Sequence, residues 1–142
     1  MSTFTRGIKM KPVQCARRGL RRLLPPGLAR PAWSVAERFD YAVGSLENPS
    51  ATITVPEGFR FDGASVPLLL RPLFPMAHPD YIQAAALHDW LYCEGGSRRR
   101  ADDVFFEALG VLGMAAHWRW AFWAAVRIGG QSGFNRKKGT RE

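Results

Sequence analysis

Cysteine is scarce in this chain, with only Cys15 and Cys93 among 142 residues. The two form no CxxC pair and no metal-ligand spacing, so neither a disulfide framework nor a structural zinc centre is expected. Two free thiols in a reducing compartment is the reading. Long apolar runs are also lacking. The best stretch, Trp118 to Ile128, is too short to span a bilayer and contains Arg119 and Arg127. At the N-terminus, Arg and Pro interrupt the chain before any apolar core forms, so no signal peptide is read. Acidic residues are outnumbered, 12 against 20 Lys and Arg. The resulting net charge of +8 favours anionic partners. His78 and His117 have no zinc-ligand spacing and are read as ordinary core or surface histidines.

The positive charge is clustered: Arg17, Arg18, Arg21 and Arg22; Arg98 to Arg100; and Arg136, Lys137, Lys138 and Arg141. Two of these runs lie near the termini, where solvated tails are commoner than shaped grooves. Residues 1–31 read as a basic, partly disordered arm, because Pro12, Pro25, Pro26 and Pro31 forbid a long helix. A short helix from Val13 to Leu24 would oppose its leucines to its arginines, but it is weakened by Gly19. Residues 32–130 read as one domain and 131–142 as a basic disordered tail.

From Trp33 to Val43 apolar residues alternate with polar or small ones, as in a half-buried strand, with Glu37 out of step at a bulge. Gly44 to Ser50 is turn chemistry. Ala51, Ile53 and Val55 make a second alternating strand, completing an antiparallel hairpin, and Phe59 and Phe61 flank a short third strand. Four prolines then hold residues 64–79 in a loop. Helical periodicity follows in three blocks. The first runs from an Asp80 cap, with Gln83 as capping-box partner, to about Cys93. The second runs from a Ser97 cap to about Leu109, and the third from about Met114 to Ile128, where Gly129-Gly130 ends it. Strands precede helices, so the expected class is α+β, with the first two helices an antiparallel pair.

Two polar residues fall on apolar faces. His88 shares a face with Tyr81, Ala84, Ala85, Leu91 and Tyr92, and Asp102 shares one with Phe105, Phe106 and Leu109. Asp103 lines up instead with Arg99, Arg100 and Glu107 on a solvated face. The short Gly95-Gly96 connection makes the two apolar faces meet. Burying a histidine and a carboxylate together is costly unless they pair, so a hydrogen bond from one imidazole nitrogen to Asp102 is expected. It would leave the other nitrogen as a base. Tyr92, one turn past His88, is placed to donate to the same carboxylate. A buried His–Asp pair is more often structural than catalytic. Asp89 tilts this reading, because carbonyl oxygens of the Asp62-Gly63 loop could join its carboxylate around calcium.

The string Trp33, Val55-Pro56-x-Gly58-Phe59, Asp62-x-Ala64-Ser65-Val66-Pro67, Ala85-Ala86-Leu87-His88-Asp89-x-Leu91-Tyr92 and Ser97-Arg98-x-x-Ala101-Asp102-x-x-Phe105 resembles the phage and prophage domain-of-unknown-function family 1353. That resemblance implies a phage or prophage gene but no activity. A second, partial resemblance rests on His88-Asp89-x-x-Tyr92, Asp102-x-x-Phe105 and Asp62-Gly63-x-Ser65, which are similar to bacterial secreted phospholipases A2. It implies His88 as the base, Asp102 as its orienter with Tyr92 assisting, and Asp89, Asp62 and Gly63 as calcium ligands. Those enzymes are typically disulfide-stapled and exported, unlike the chain read here, and the β-rich first half lies outside the similarity.

Two functions follow as expectations. One is a calcium-assisted ester hydrolase acting on phospholipid or another envelope ester. Its basic clusters and Trp118, Trp120 and Trp123 would favour an anionic interface, although tryptophans at this spacing are more often helix core. The other is a non-enzymatic phage accessory or virion-assembly protein, tail-associated, in which the His–Asp pair locks helices and the basic arms meet phage structural proteins or non-specific nucleic acid. A dedicated nucleic-acid binder has the charge but no recognisable motif. The expected location is the cytoplasm of a bacterial host or the virion.

Overall fold

In the computed structural model the described residues are 3–13, 32–44, 50–61 and 79–137. Among these residues six strands are followed by three helices, and the class is α+β. The strands are β1 (Thr3–Phe4), β2 (Met10–Val13), β3 (Ala32–Val35), β4 (Phe39–Val43), β5 (Ala51–Val55) and β6 (Arg60–Phe61). They form two three-stranded antiparallel sheets, ordered β1-β4-β5 and β2-β3-β6.

The alternating segment from Trp33 to Val43 is therefore two strands in two sheets, not one strand with a bulge. The break falls at Ala36 to Arg38, where Glu37 would otherwise point with the apolar set. Glu37 turns outward and accepts a 2.8 Å hydrogen bond from Lys9 Nζ. Residues 3–13, expected in a disordered arm, run antiparallel alongside it. Thr3 faces Ala42 and Met10 faces Val35, so the same register holds on both sides of the break. Backbone bonds from Thr5 to Asp40 (3.0 Å) and from Ala36 to Lys9 (2.7 Å) carry the ribbon through it. Both sheets are thus built on one kinked two-stranded ribbon. Pro12 is accommodated in β2, as expected of an edge strand, where a missing ladder donor is tolerated. The remaining arm, with the Val13–Leu24 helix expectation and the first arginine cluster, lies outside the described residues apart from Val13, which is in β2.

The β4–β5 hairpin has the expected pairing, with Phe39 opposite Val55 and Val43 opposite Ala51. Its inward residues Phe39, Tyr41, Ile53 and Val55 are buried.

The helices are α1 (Pro79–Glu94), α2 (Arg98–Val111) and α3 (Ala116–Lys137). Every residue from Tyr81 to Asp89 is buried, so α1 is a central helix, covered all round rather than along one stripe. Gln83 is no capping-box partner: it is buried and donates to the Arg6 carbonyl at 2.7 Å, tying α1 to the β1–β2 connection. Gly95, with φ +73°, makes the turn out of α1, a conformation open to glycine at little cost. Ser97 then caps α2 as expected, its hydroxyl accepting from the Arg100 amide at 3.3 Å.

Helix α3 does not stop at Gly129-Gly130 but continues to Lys137. The physical reason is packing: Phe134, a turn beyond the glycines, is buried and sets its ring edge-on to Tyr92 at 5.1 Å. No helix among the described residues is long and apolar enough to cross a membrane.

Candidate functional site

Helices α1 and α2 pack together as an antiparallel pair, and their polar core residues meet. His88 Nε2 lies 2.8 Å from Asp102 Oδ1. Tyr92 donates its hydroxyl to the same oxygen at 2.6 Å. The His88 ring sits between aromatic neighbours, with centroids 4.1 Å from Tyr92 and 4.8 Å from Phe105. Asp102 is completely buried, and His88 and Asp89 are buried beside it.

Helical geometry explains the convergence. His88 and Tyr92 are one turn apart on α1, so their side chains stack along one face. Asp102 occupies the matching position on α2, five residues into the helix that the Gly95 turn sends back along α1. Ala84, Ala85 and Ala101, small side chains on the same two helices, are buried in this core.

The electrostatics assign the tautomer. Burial opposes ionisation of Asp102, but hydrogen bonds from His88, Tyr92 and Arg127 outweigh it and hold the carboxyl below its ordinary range. An ionised carboxylate only accepts, so Nε2 carries the proton it shares with Asp102. In the neutral ring Nδ1 then holds the lone pair. Tyr92 is pushed well above the usual phenol range, first by burial and then by its bond to Asp102, and stays a donor.

Nδ1 faces toward Asp89, whose Oδ1 is 3.9 Å away, beyond direct hydrogen-bond length. Asp62 and Gly63, the other expected calcium ligands, lie outside the described residues. Among the described residues no three His, Cys, Asp or Glu side chains group to hold a metal ion. Asp89 by itself falls well short of the roughly six to eight oxygens that calcium takes. Cys93 is buried in the core, and Cys15 is outside the described residues.

Asp103 lies on the exposed side of α2 as expected, 3.8 Å from Arg99 and accepting from Trp123 Nε1 at 3.2 Å. Glu107, expected on that solvated face, is half-buried and accepts the Tyr41 hydroxyl at 2.8 Å, joining α2 to β4. Of the three tryptophans in α3, Trp118 and Trp123 are half-buried, while Trp120 is exposed.

The sequence reading missed the contribution of α3. Arg127 Nη1 donates to Asp102 Oδ2 at 3.0 Å. Arg98, one turn before Asp102, has its Nε 3.8 Å from the same oxygen and donates through Nη2 to the carbonyl of Val126 at 2.9 Å and to that of Arg127. Gly130 completes the junction: a Cβ there would come within 2.7 Å of the Tyr92 hydroxyl and 3.3 Å of Arg98 Nη2. In the sequence Arg98 stands in a basic cluster, Arg127 only interrupts an apolar stretch, and Gly130 reads as part of a helix stop. The available signal was the i,i+4 spacing of Arg98 and Asp102. Nothing in the local pattern marks Arg127.

No curated protein and no solved structure matches the chain. The family described as "Protein of unknown function (DUF1353)" matches residues 33–126. That stretch holds β3 to β6, both helices of the His88–Asp102 pair and the first half of α3, and on this match the chain belongs to that family.

Proposed function

We propose that the protein is an ester hydrolase, encoded by a phage or prophage, that acts on phospholipid or a related envelope ester with His88 as its base. The observation that carries this reading is the division of labour on one ring. Nε2 is committed to a buried, ionised carboxylate, and Nδ1 is the nitrogen on the Asp89 side. A water bound at Nδ1 would give up a proton to it while its oxygen attacks the ester carbonyl. The ester C–O bond then breaks, and the proton passes to the departing alkoxide. Asp102 holds the ring in the required tautomer and stabilises the imidazolium formed in between. Tyr92 keeps Asp102 in place. Calcium would supply charge stabilisation at the carbonyl oxygen. Asp89 is the one described residue of its expected ligand set, so no step is assigned to the metal.

A second reading has its own observation. The His88 side chain is only 7% exposed and Asp102 is fully buried. That arrangement also suits a helix lock in a non-enzymatic phage accessory protein. Fatty-acid release from anionic phospholipid vesicles, with and without calcium, separates the two. Hydrolysis that disappears in a folded His88→Asn variant supports the enzyme. No release by the wild type under either condition, with His88→Asn merely less stable, leaves the helix lock. Calcium titration of the wild type against Asp89→Asn tests the metal independently.

A further inference from the structure

We infer that Arg127 is a positioning residue for His88, acting through Asp102, and that Gly130 supplies the space this arrangement needs. The two oxygens of Asp102 are used separately. Oδ1 takes Nε2 of His88 and the Tyr92 hydroxyl, and Oδ2 takes Arg127. A carboxylate bound through one oxygen can still rotate about its Cβ–Cγ bond. Binding the second oxygen to a donor on a third helix stops that rotation and fixes Oδ1 on the line to Nε2. Arg127 also supplies positive charge beside a carboxylate that burial would otherwise drive toward the neutral acid. A protonated Asp102 could donate instead of accept, and His88 would no longer be restricted to the Nε2–H form.

The geometry of α3 is suited to this. Arg127 and Gly130 are three residues apart, on neighbouring positions of the helix surface. The glycine leaves room for the Tyr92 hydroxyl and the Arg98 guanidinium beside the Arg127 stem. Arg98 ties the same stretch of α3 to α2 through the carbonyls of Val126 and Arg127. Both Arg127 and Gly130 lie beyond residue 126, where the family match ends. The site is therefore completed by residues outside the matched stretch.

The inference deepens the hydrolase reading, but its test does not depend on hydrolysis. Long-range proton–nitrogen correlation spectra of the full chain report which nitrogen of His88 is protonated. The wild type is expected to show the Nε2–H form with a slowly exchanging ring proton. Arg127→Met keeps the apolar stem and removes the donor. It is expected to lose the slow proton and give mixed tautomers while thermal unfolding shows a folded chain, and Arg127→Lys is expected to restore the Nε2–H signal. A folded Arg127→Met with unchanged His88 signals overturns the inference and leaves Arg127 as a helix brace. Should that variant fail to fold, Arg127→Leu, which also lacks a donor, decides by the same signals and the same criterion. Where vesicle hydrolysis is measurable, Arg127→Met should lower it about 10–100-fold, the range found when the carboxylate partners of metal-bound histidines are disturbed. Altered tautomers in a protein that hydrolyses nothing would uphold the positioning role and remove the hydrolase reading.

Discussion

The inner faces of the sheets and the helical junction both bury side chains, but they are held by different means. Around the strands the core is apolar: Val35, Phe39, Val55, Phe59 and Phe61 are all inside. Polar contacts such as Lys9 with Glu37 and Thr54 with Asp40 lie at the rim, while Tyr41 to Glu107 and Gln83 to the Arg6 carbonyl tie the strands to the helices with uncharged donors. Among the helices the buried set includes His88, Asp89 and Asp102. Apolar burial stabilises roughly in proportion to area and is indifferent to pH. A buried carboxylate contributes only when its bonds are complete, and it becomes a liability when one partner is lost. The strand half should therefore tolerate changes of shape poorly and changes of pH well, and the helical junction should show the converse sensitivity.

The sharpest test of that contrast is Asp102→Ala against Phe39→Ala. Removing Asp102 strands Arg127, His88 and Tyr92 and should cost about 3–5 kcal/mol. Phe39→Ala should cost a similar amount, about 3–5 kcal/mol, through its cavity. Denaturant unfolding across pH tells the two apart. The pKa of Asp102 is lowered on folding, so its stabilisation is complete above the ordinary aspartate value and fades as pH falls through the lower folded value. Wild type and Phe39→Ala should both lose stability on acidification in that window, whereas Asp102→Ala should lose less. Parallel pH profiles for all three would erase the distinction between the regions.

A smaller effect is expected from Gly130→Ala. The new methyl group meets the Tyr92 hydroxyl at 2.7 Å, and the forced shift should cost about 1–3 kcal/mol. This comes despite alanine's better helix propensity, which alone would stabilise by about 1 kcal/mol. A raised melting temperature would show that the close approach is not maintained in solution. Tyr92→Phe should cost about 1–2 kcal/mol by deleting one donor to Asp102, with the fold unchanged by circular dichroism. The smallest effect belongs to Asp103→Ala. Its contacts to Arg99 and Trp123 are on the exposed side of α2, and the change should fall within about 0.5 kcal/mol. A large loss there would mean that the solvated face is not solvated.

How far each part could be read beforehand follows from the range of the interaction. Strand alternation, the β4–β5 hairpin, the Ser97 cap and the pairing of His88 with Asp102 are local patterns or joined by a short turn. Each is set by periodicity and by the cost of burying a polar group alone. The β1 and β2 strands were not legible, because their alternation is weak and their partners are distant in the chain, as in Thr3 with Ala42 and Met10 with Val35. The break at Glu37 was visible, but not that it divides the ribbon between two sheets.

The amino-acid sequence by itself determined the α+β class, the antiparallel helix pair and the identity of the buried dyad, because period, turn chemistry and desolvation act over short distances. Only the tertiary structure decided which nitrogen of His88 is committed and which helix supplies the third partner of Asp102. It also decided that Gly129-Gly130 continue a helix instead of ending it. Those outcomes depend on where α3 lies against α1 and α2. Phe134 packing on Tyr92 and Arg127 reaching Asp102 are contacts that no local pattern encodes.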